Sequence, residues 1–210
     1  MSLHAEALSR GQTRAALVLG PLLSAEGFYL GGGTAVALQL GHRRSVDLDW
    51  FTEDRLGDGL ALASRLKDRA VPLAVEVTRP GTLHARLFGV RITCLEYRYA
   101  LLGERIEWPD FSCQLASLDD LACMKLSAIA QRGAKRDFVD LYALAARHRP
   151  LPELMEAYRR KYNIADLAHV LYGLSYFDDA DRERMPTLLW DLDWQTVKRT
   201  IRGWVAKMAR

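Results

Sequence analysis

This chain is short of several features that would place it quickly. Only three cysteines occur among 210 residues. Cys94, Cys113 and Cys123 are an odd number and lie far apart, so neither a disulfide framework nor a zinc site is suggested. Buried, inert thiols are the expectation. The five histidines are scattered and form no His-x-x-x-His pair. No apolar run approaches a membrane span: the longest, Ala15 to Leu23, is interrupted by Gly20 and Pro21. The N-terminus, Met1-Ser2-Leu3-His4-Ala5-Glu6, shows no basic segment followed by an apolar core, so a cytoplasmic location without membrane attachment is expected. Internal repeats and low-complexity tracts are missing as well. The formal net charge is only +3, too small to argue nucleic-acid binding by itself. All of it lies beyond residue 110. Lys198, Arg199, Arg202, Lys207 and Arg210 follow Asp193 with no further acid. Cations at a helix C-terminus, favoured by the macrodipole, explain that run more simply than RNA contact does.

What is present is a balanced globular composition, 50% hydrophobic and 26% charged, in two stretches of different character. Residues 1–112 alternate short strands with helices. Helical spacing over 3–26 breaks at Gly20-Pro21, and Phe28-Tyr29-Leu30 is a short strand ending on glycines. Thr34–Leu40 is a helix stopped by Gly41, and Val46–Phe51 is a strand. Asp58–Arg69 is helical, and strands follow at 73–77, 84–88 and 90–97. From Ser117 onward the chain is almost wholly helical. Expected segments are 118–131, 136–147, 152–160, 164–176 and 187–207, punctuated by Pro150, Pro152 and Pro186. A core of residues 1–112 and a helical second unit of 113–210 are the expected domains.

The most informative stretch is Gly31 to Asp49. Gly31-Gly32-Gly33-Thr34 runs into a helix N-terminus, which offers free backbone N–H groups to an anion. In the strand that follows, Asp47 and Asp49 stand two apart and so share a face. Adjacent carboxylates repel unless a cation joins them, so the pair is a candidate divalent-metal site, Mg²⁺ being the natural choice. Ser45 shares their parity, and Arg44 is placed to meet phosphate oxygens. Arg43 is expected on a solvated loop that balances the aspartates. The tetrapeptide Asp191-Leu192-Asp193-Trp194 echoes Asp47–Trp50, but no glycine turn precedes it, and it is expected to start a helix.

Lys125 falls in the middle of the apolar stripe of the helix 118–131, beside Leu121, Ala122 and Ile129. A buried ammonium is costly unless an anion pairs with it; the alternative is a lysine that snorkels at the edge of the helical bundle. In the next helix Asp137 and Asp140 lie at i and i+3, off the stripe formed by Phe138, Leu141, Tyr142 and Ala145. Arg136 and Asp140 have the spacing of a surface ion pair.

These residues resemble a known family. The Gly-Gly-Thr turn followed by Asp-x-Asp is similar to the nucleotidyltransferases of the DNA polymerase β-like fold. The longer run Tyr29 to Phe51, the block Lys125 to Tyr142 and the ending Asp193-Trp194-x-x-Val197-Lys198 resemble the AbiEii/AbiGii toxins of type IV toxin–antitoxin systems. The resemblance implies an α+β fold, a mixed sheet with flanking helices followed by a helical C-terminal half. It implies a Mg²⁺-dependent enzyme that moves a nucleoside monophosphate from an NTP to a hydroxyl of RNA (tRNA included) or of protein, with a cognate antitoxin as partner. Asp47 and Asp49 match the metal carboxylates, and Gly32, Gly33 and Thr34 match the phosphate turn. Lys125 matches the lysine of the phosphate contact. Asp137 and Asp140 match the acids of the last motif, Asp140 being the one assigned a catalytic role.

Many enzymes of this fold carry a third carboxylate on a later strand. Glu96 is the only acid of strand 90–97, and Thr93 stands where an acid would be sought first. Three arrangements stay open: Glu96 serves, Asp140 substitutes, or the site has no carboxylate base. Two other functions also fit the same residues, a catalytically silent nucleotide- or partner-binding module and a small-molecule transferase of the antibiotic-modifying kind.

Overall fold

A computed structural model describes residues 3–208. Among the described residues nine α-helices and seven strands follow one another in the order α1 (Arg10–Ser24), β1 (Tyr29–Leu30), α2 (Gly32–Leu40), β2 (Asp47–Thr52), α3 (Gly59–Asp68), β3 (Ala74–Arg79), β4 (Thr82–Leu87), β5 (Val90–Glu96), β6 (Ile106–Trp108), β7 (Cys113–Leu115), α4 (Leu118–Gln131), α5 (Lys135–Arg147), α6 (Leu151–Tyr162), α7 (Ala168–Ser175), α8 (Asp178–Asp181) and α9 (Trp194–Met208). The strands form one mixed sheet in the order β3-β4-β5-β2-β1-β7-β6. This is the α+β arrangement expected.

β2 lies at the centre, antiparallel to β1 and parallel to β5. Its alternation decides the fold. Leu48 and Trp50 are fully buried, and with Ile92 and Cys94 beside them they form one face of the core. α1 packs on β2 and β5, and α3 on β3 and β4. Asp47, Asp49 and Phe51 point to the other face, beside Arg91, Thr93 and Leu95 of β5. α2, α4 and α5 pack against one another, and α4 also receives α6 and α7.

Two expectations need correction. The break at Gly20-Pro21 is absent, because α1 continues through both. Pro21 lies near the helix end. Gly20 is required by contact, since a Cβ there would come within 2.0 Å of the Phe111 carbonyl oxygen. β6 and β7 were not expected, being only three residues each. β7 pairs with β1, and so the sheet itself crosses residue 112. The echo at Asp191 behaves as expected: Asp193 accepts hydrogen bonds from the Thr196 amide and hydroxyl ahead of α9. The three thiols are buried and free, as expected. Of the basic C-terminal residues, Lys198 is buried and paired with Asp181. Arg202 lies over the Phe177 ring. Arg210 falls outside the described residues.

Candidate active site

The glycine turn is built by three different close contacts. Gly31 donates its N–H to the Asp49 carbonyl at 2.8 Å, and a Cβ on Gly31 would strike the Phe51 ring. Gly32 has φ of +61°, a conformation that favours glycine, and a Cβ there would lie 2.4 Å from the Asp49 carboxylate. A Cβ on Gly33 would collide with the Arg43 guanidinium. No side chain caps the N-terminus of α2. The first-turn N–H groups of Gly32, Gly33 and Thr34 therefore face the cleft without an intrahelical partner.

Thr34 and Ser45 hold this turn to β2. The Thr34 hydroxyl meets the Ser45 hydroxyl at 2.5 Å and donates to the Asp47 carbonyl. Both side chains are buried, so their hydroxyls serve as ties, while both residues still line the cleft.

Asp47 and Asp49 open onto a cleft of about 720 Å³ together with Gly32, Gly33, Thr93, Lys125 and Arg136. Burial and the nearby charge of Asp47 push the Asp49 carboxyl up. Arg136 comes within 3.5 Å and Arg91 within 3.9 Å of the Asp47 carboxylate. Arg136 thus pairs with Asp47 across the cleft, not with Asp140 on its own helix. Among the described residues no cluster of three or more His, Cys, Asp or Glu side chains is arranged to hold a metal. Two carboxylates on one strand face nevertheless suit a hard cation that takes its other oxygens from phosphate and water.

Behind the cleft wall lies a buried charge network that sequence reading divided wrongly. Asp140 is fully buried and does not line the cleft. It receives Arg43 in a forked pair, Nε at 2.6 Å and Nη2 at 2.8 Å, the His42 Nε2 at 2.7 Å and the Lys125 Nζ at 2.6 Å. Burial pushes its carboxyl up, but Arg43, Lys125 and His42 outweigh burial and hold it well below the usual carboxylate range. Asp137 is also fully buried, and it accepts from Lys125 at 2.8 Å and Arg132 at 2.9 Å. Arg43 is therefore not solvated: it is 4% exposed and braces Gly33. Its signal in the sequence was an arginine two residues after the glycine stop at Gly41, which has no periodicity to reveal its partner 97 residues away.

Lys125 does reach the cleft, with its ammonium backed by both carboxylates. Arg44 does not; it is exposed, and it lines a neighbouring hollow with Arg184 and Glu183. Glu96 is also excluded. It stands opposite Thr52, three residues beyond Thr93 and on the other face of the sheet, where it accepts from the Leu56 amide at 3.0 Å and pairs with Arg98. Thr93 is the residue in register with Asp49.

One end of the cleft is aromatic. Phe51 and Tyr97 meet edge to face at 5.6 Å, and the Tyr97 and Tyr162 hydroxyls join at 2.5 Å. All three residues line the cleft, and none was foreseen.

The fold has counterparts. The chain is 39% identical over 158 residues to an uncharacterized protein of Aquifex aeolicus, covering 74% of this chain and 76% of that one. It is similar in structure to JHP933 from Helicobacter pylori, with a TM-score of 0.55 and 18% identity over 99% of this chain and 93% of that chain. It is also similar to MenT4, a nucleotidyltransferase toxin from Mycobacterium tuberculosis H37Rv, with a TM-score of 0.52 and 17% identity over 92% and 82% of the two chains. At those identities the likeness establishes the fold. No described helix is long and apolar enough to cross a membrane. The profile of the family described as nucleotidyl transferase AbiEii toxin, type IV toxin–antitoxin system, matches residues 88–204, and the chain belongs to that nucleotidyltransferase family.

Proposed function

We propose that this nucleotidyltransferase moves a nucleoside monophosphate from a Mg²⁺-bound NTP to a hydroxyl of RNA, with a toxin's role held in check by an antitoxin. The observation that carries the reading is the juxtaposition of Asp47 and Asp49 with the uncapped α2 N-terminus on one side and Lys125 on the other. Asp47 and Asp49 would hold the cation, which when bound neutralises charge on the triphosphate and on the developing transition state. The raised carboxyl of Asp49 fits that assignment, because a like-charge pair in a half-buried cleft is relieved by a cation.

The chain's own groups divide the remaining work. The N–H groups of Gly32, Gly33 and Thr34 bind phosphate oxygens at the positive end of α2. Lys125 offers a further cation whose position is fixed by Asp137 and Asp140. These two carboxylates act as positioning residues, since neither reaches the cleft. Fixed cations at the place where charge builds are worth most in a partly desolvated site.

An RNA acceptor is supported by the rim. Arg91, Arg132 and Arg136 line the cleft and are each 42 to 56% exposed. Arg132 and Arg136 also border the adjoining hollow with Arg44 and Arg184. That makes a continuous cationic path suited to a phosphate backbone. The test is incubation with each α-labelled NTP, Mg²⁺ and total RNA, using wild type and the D47A/D49A variant. Label on RNA that disappears in the variant is expected. Label on protein or on a small molecule instead would replace the acceptor, and nucleotide binding that needs neither aspartate nor Mg²⁺ would remove the transferase reading.

A further inference from the structure

The position beside Asp49 carries no carboxylate, because Thr93 occupies it; the third acid that lines the cleft, Glu76, stands on β3 and pairs with Arg86. One strand further out, His84 of β4 stands in register with Thr93. Asp49, Thr93 and His84 therefore form a row across three neighbouring strands, all on the cleft face. Strand spacing puts the His84 backbone about 9–10 Å from that of Asp49, with Thr93 between them. All three side chains line the same cleft.

Direction matters as much as distance. The α2 N-terminus and the glycine turn follow β1, on one side of Asp49, while β5 and β4 lie on the other. In-line displacement needs the leaving oxygen and the attacking oxygen on opposite sides of phosphorus. A triphosphate tail on the glycine turn thus presents its α-phosphorus with the open side toward β4. We propose that His84 is the general base that takes the proton of the acceptor hydroxyl, which assigns to an imidazole the place left empty by the missing carboxylate. The inference rests on the transferase reading above.

The step balances without another reactant. The acceptor hydroxyl gives its proton to the His84 imidazole as its oxygen bonds to the α-phosphorus. The bond from that phosphorus to the α–β bridging oxygen breaks, and pyrophosphate leaves with the electron pair toward α2. The imidazolium then returns its proton to solvent.

Rival bases in the cleft are engaged elsewhere. A bulge in β3 between Val75 and Val77 turns Glu76 into the cleft, where its carboxylate pairs with Arg86 at 2.5 Å. Arg91 leans toward Asp47. His84 takes part in neither pair. The Tyr97 and Tyr162 hydroxyls bond to each other, and burial pushes both up, away from any basic role near neutrality. Imidazole as a class exchanges protons near neutral pH. The charges around His84 come from every element facing it: Asp47 and Asp49 on β2, Arg91 on β5, Arg86 on β4, Glu76 on β3 and, across the cleft, Arg136 on α5, with Arg132 and Lys125 further along.

The test compares wild type with H84N and H84Q in labelled transfer to RNA and in pyrophosphate release, from pH 5.5 to 9, with NTP affinity measured by calorimetry. The expected result is a kcat about 10²–10⁴-fold lower in both variants, NTP affinity within about threefold of wild type, and loss of the acidic limb of the wild-type pH profile. A kcat within about threefold of wild type with the same acidic limb overturns the assignment. So does loss of NTP affinity in parallel with kcat in both variants, which marks a structural role. A wild-type chain that binds NTP yet transfers nothing and releases no pyrophosphate overturns the transferase reading, and this assignment falls with it.

Discussion

Replacing Asp140 by asparagine tests the buried network most directly. The carboxylate is fully buried and receives four contacts of 2.6 to 2.8 Å from two full cations and the His42 ring. An amide keeps the shape but offers one acceptor oxygen and no charge. Arg43, 4% exposed, would then face an NH₂ group, and Lys125 would rely on Asp137 alone. Removing one partner from a buried ion pair costs about 3–5 kcal/mol, because the remaining charge is left uncompensated. For a chain of this length each kcal/mol lowers Tm by roughly 2–4 °C, so D140N should melt about 6–20 °C lower. The assay is thermal and urea unfolding followed by circular dichroism. The double variant R43M/D140N supplies the control: it removes both ends of the forked pair, and its cost should fall short of the summed single costs by at least about 1 kcal/mol. A D140N cost below about 1 kcal/mol, or strict additivity in the double variant, would refute the network account. The pH dependence has a definite sign. A carboxyl held below its unfolded value contributes stability above the ordinary carboxylate range, and that stability is lost only as acid carries pH down through the folded value. Wild-type melts should therefore show the Asp140 contribution intact at pH 5, with D140N and wild type converging only in strong acid.

Asp49 should behave in the opposite way. Its carboxyl is pushed up on folding, so ionising it costs stability as pH rises through the carboxylate range, and D49N should melt at or above wild type at pH 7 without divalent cation. Mg²⁺ should raise the wild-type Tm and leave D47N/D49N unmoved; equal shifts in both would remove the metal assignment. G32A combines a positive φ with a Cβ 2.4 Å from the Asp49 carboxylate, so it should cost about 1–3 kcal/mol and weaken NTP binding by calorimetry. E96Q should leave transfer and NTP affinity within about twofold of wild type, because that side chain faces away from the cleft; a large loss would mean that the face assignment of β5 is wrong.

How much of the site was legible depended on distance along the chain. The glycine turn and the Asp47/Asp49 pair were readable because period-two alternation and a glycine run ahead of a helix are local patterns. Lys125 betrayed itself as one cation inside an apolar stripe of α4, where either a buried anion or a snorkelling stem would fit; Asp137 and Asp140 decide for the anion. Asp137 and Asp140 were also visible, but their roles were not, since helix periodicity gave them an exposed flank of α5. Both are buried because Arg43, Arg132 and Lys125 arrive from other elements to neutralise them. Glu96 shows the opposite failure. Its strand was found, but the face it occupies depends on register against β2, which sets Thr93 and not Glu96 beside Asp49.

By itself the sequence determined the strand that carries the carboxylates, the turn that precedes it and the longer helices of the second half, for each is written in spacing within some twenty residues; it missed α8 and began α7 and α9 several residues early. Only the tertiary structure decided which charges meet. It buried Arg43 against an acid 97 residues away, set β7 beside β1, and brought His84 into line with Asp49 through two strand registers. The physical reason is that pairing between strands and desolvation of charge depend on partners distant in the chain, and no local periodicity encodes them.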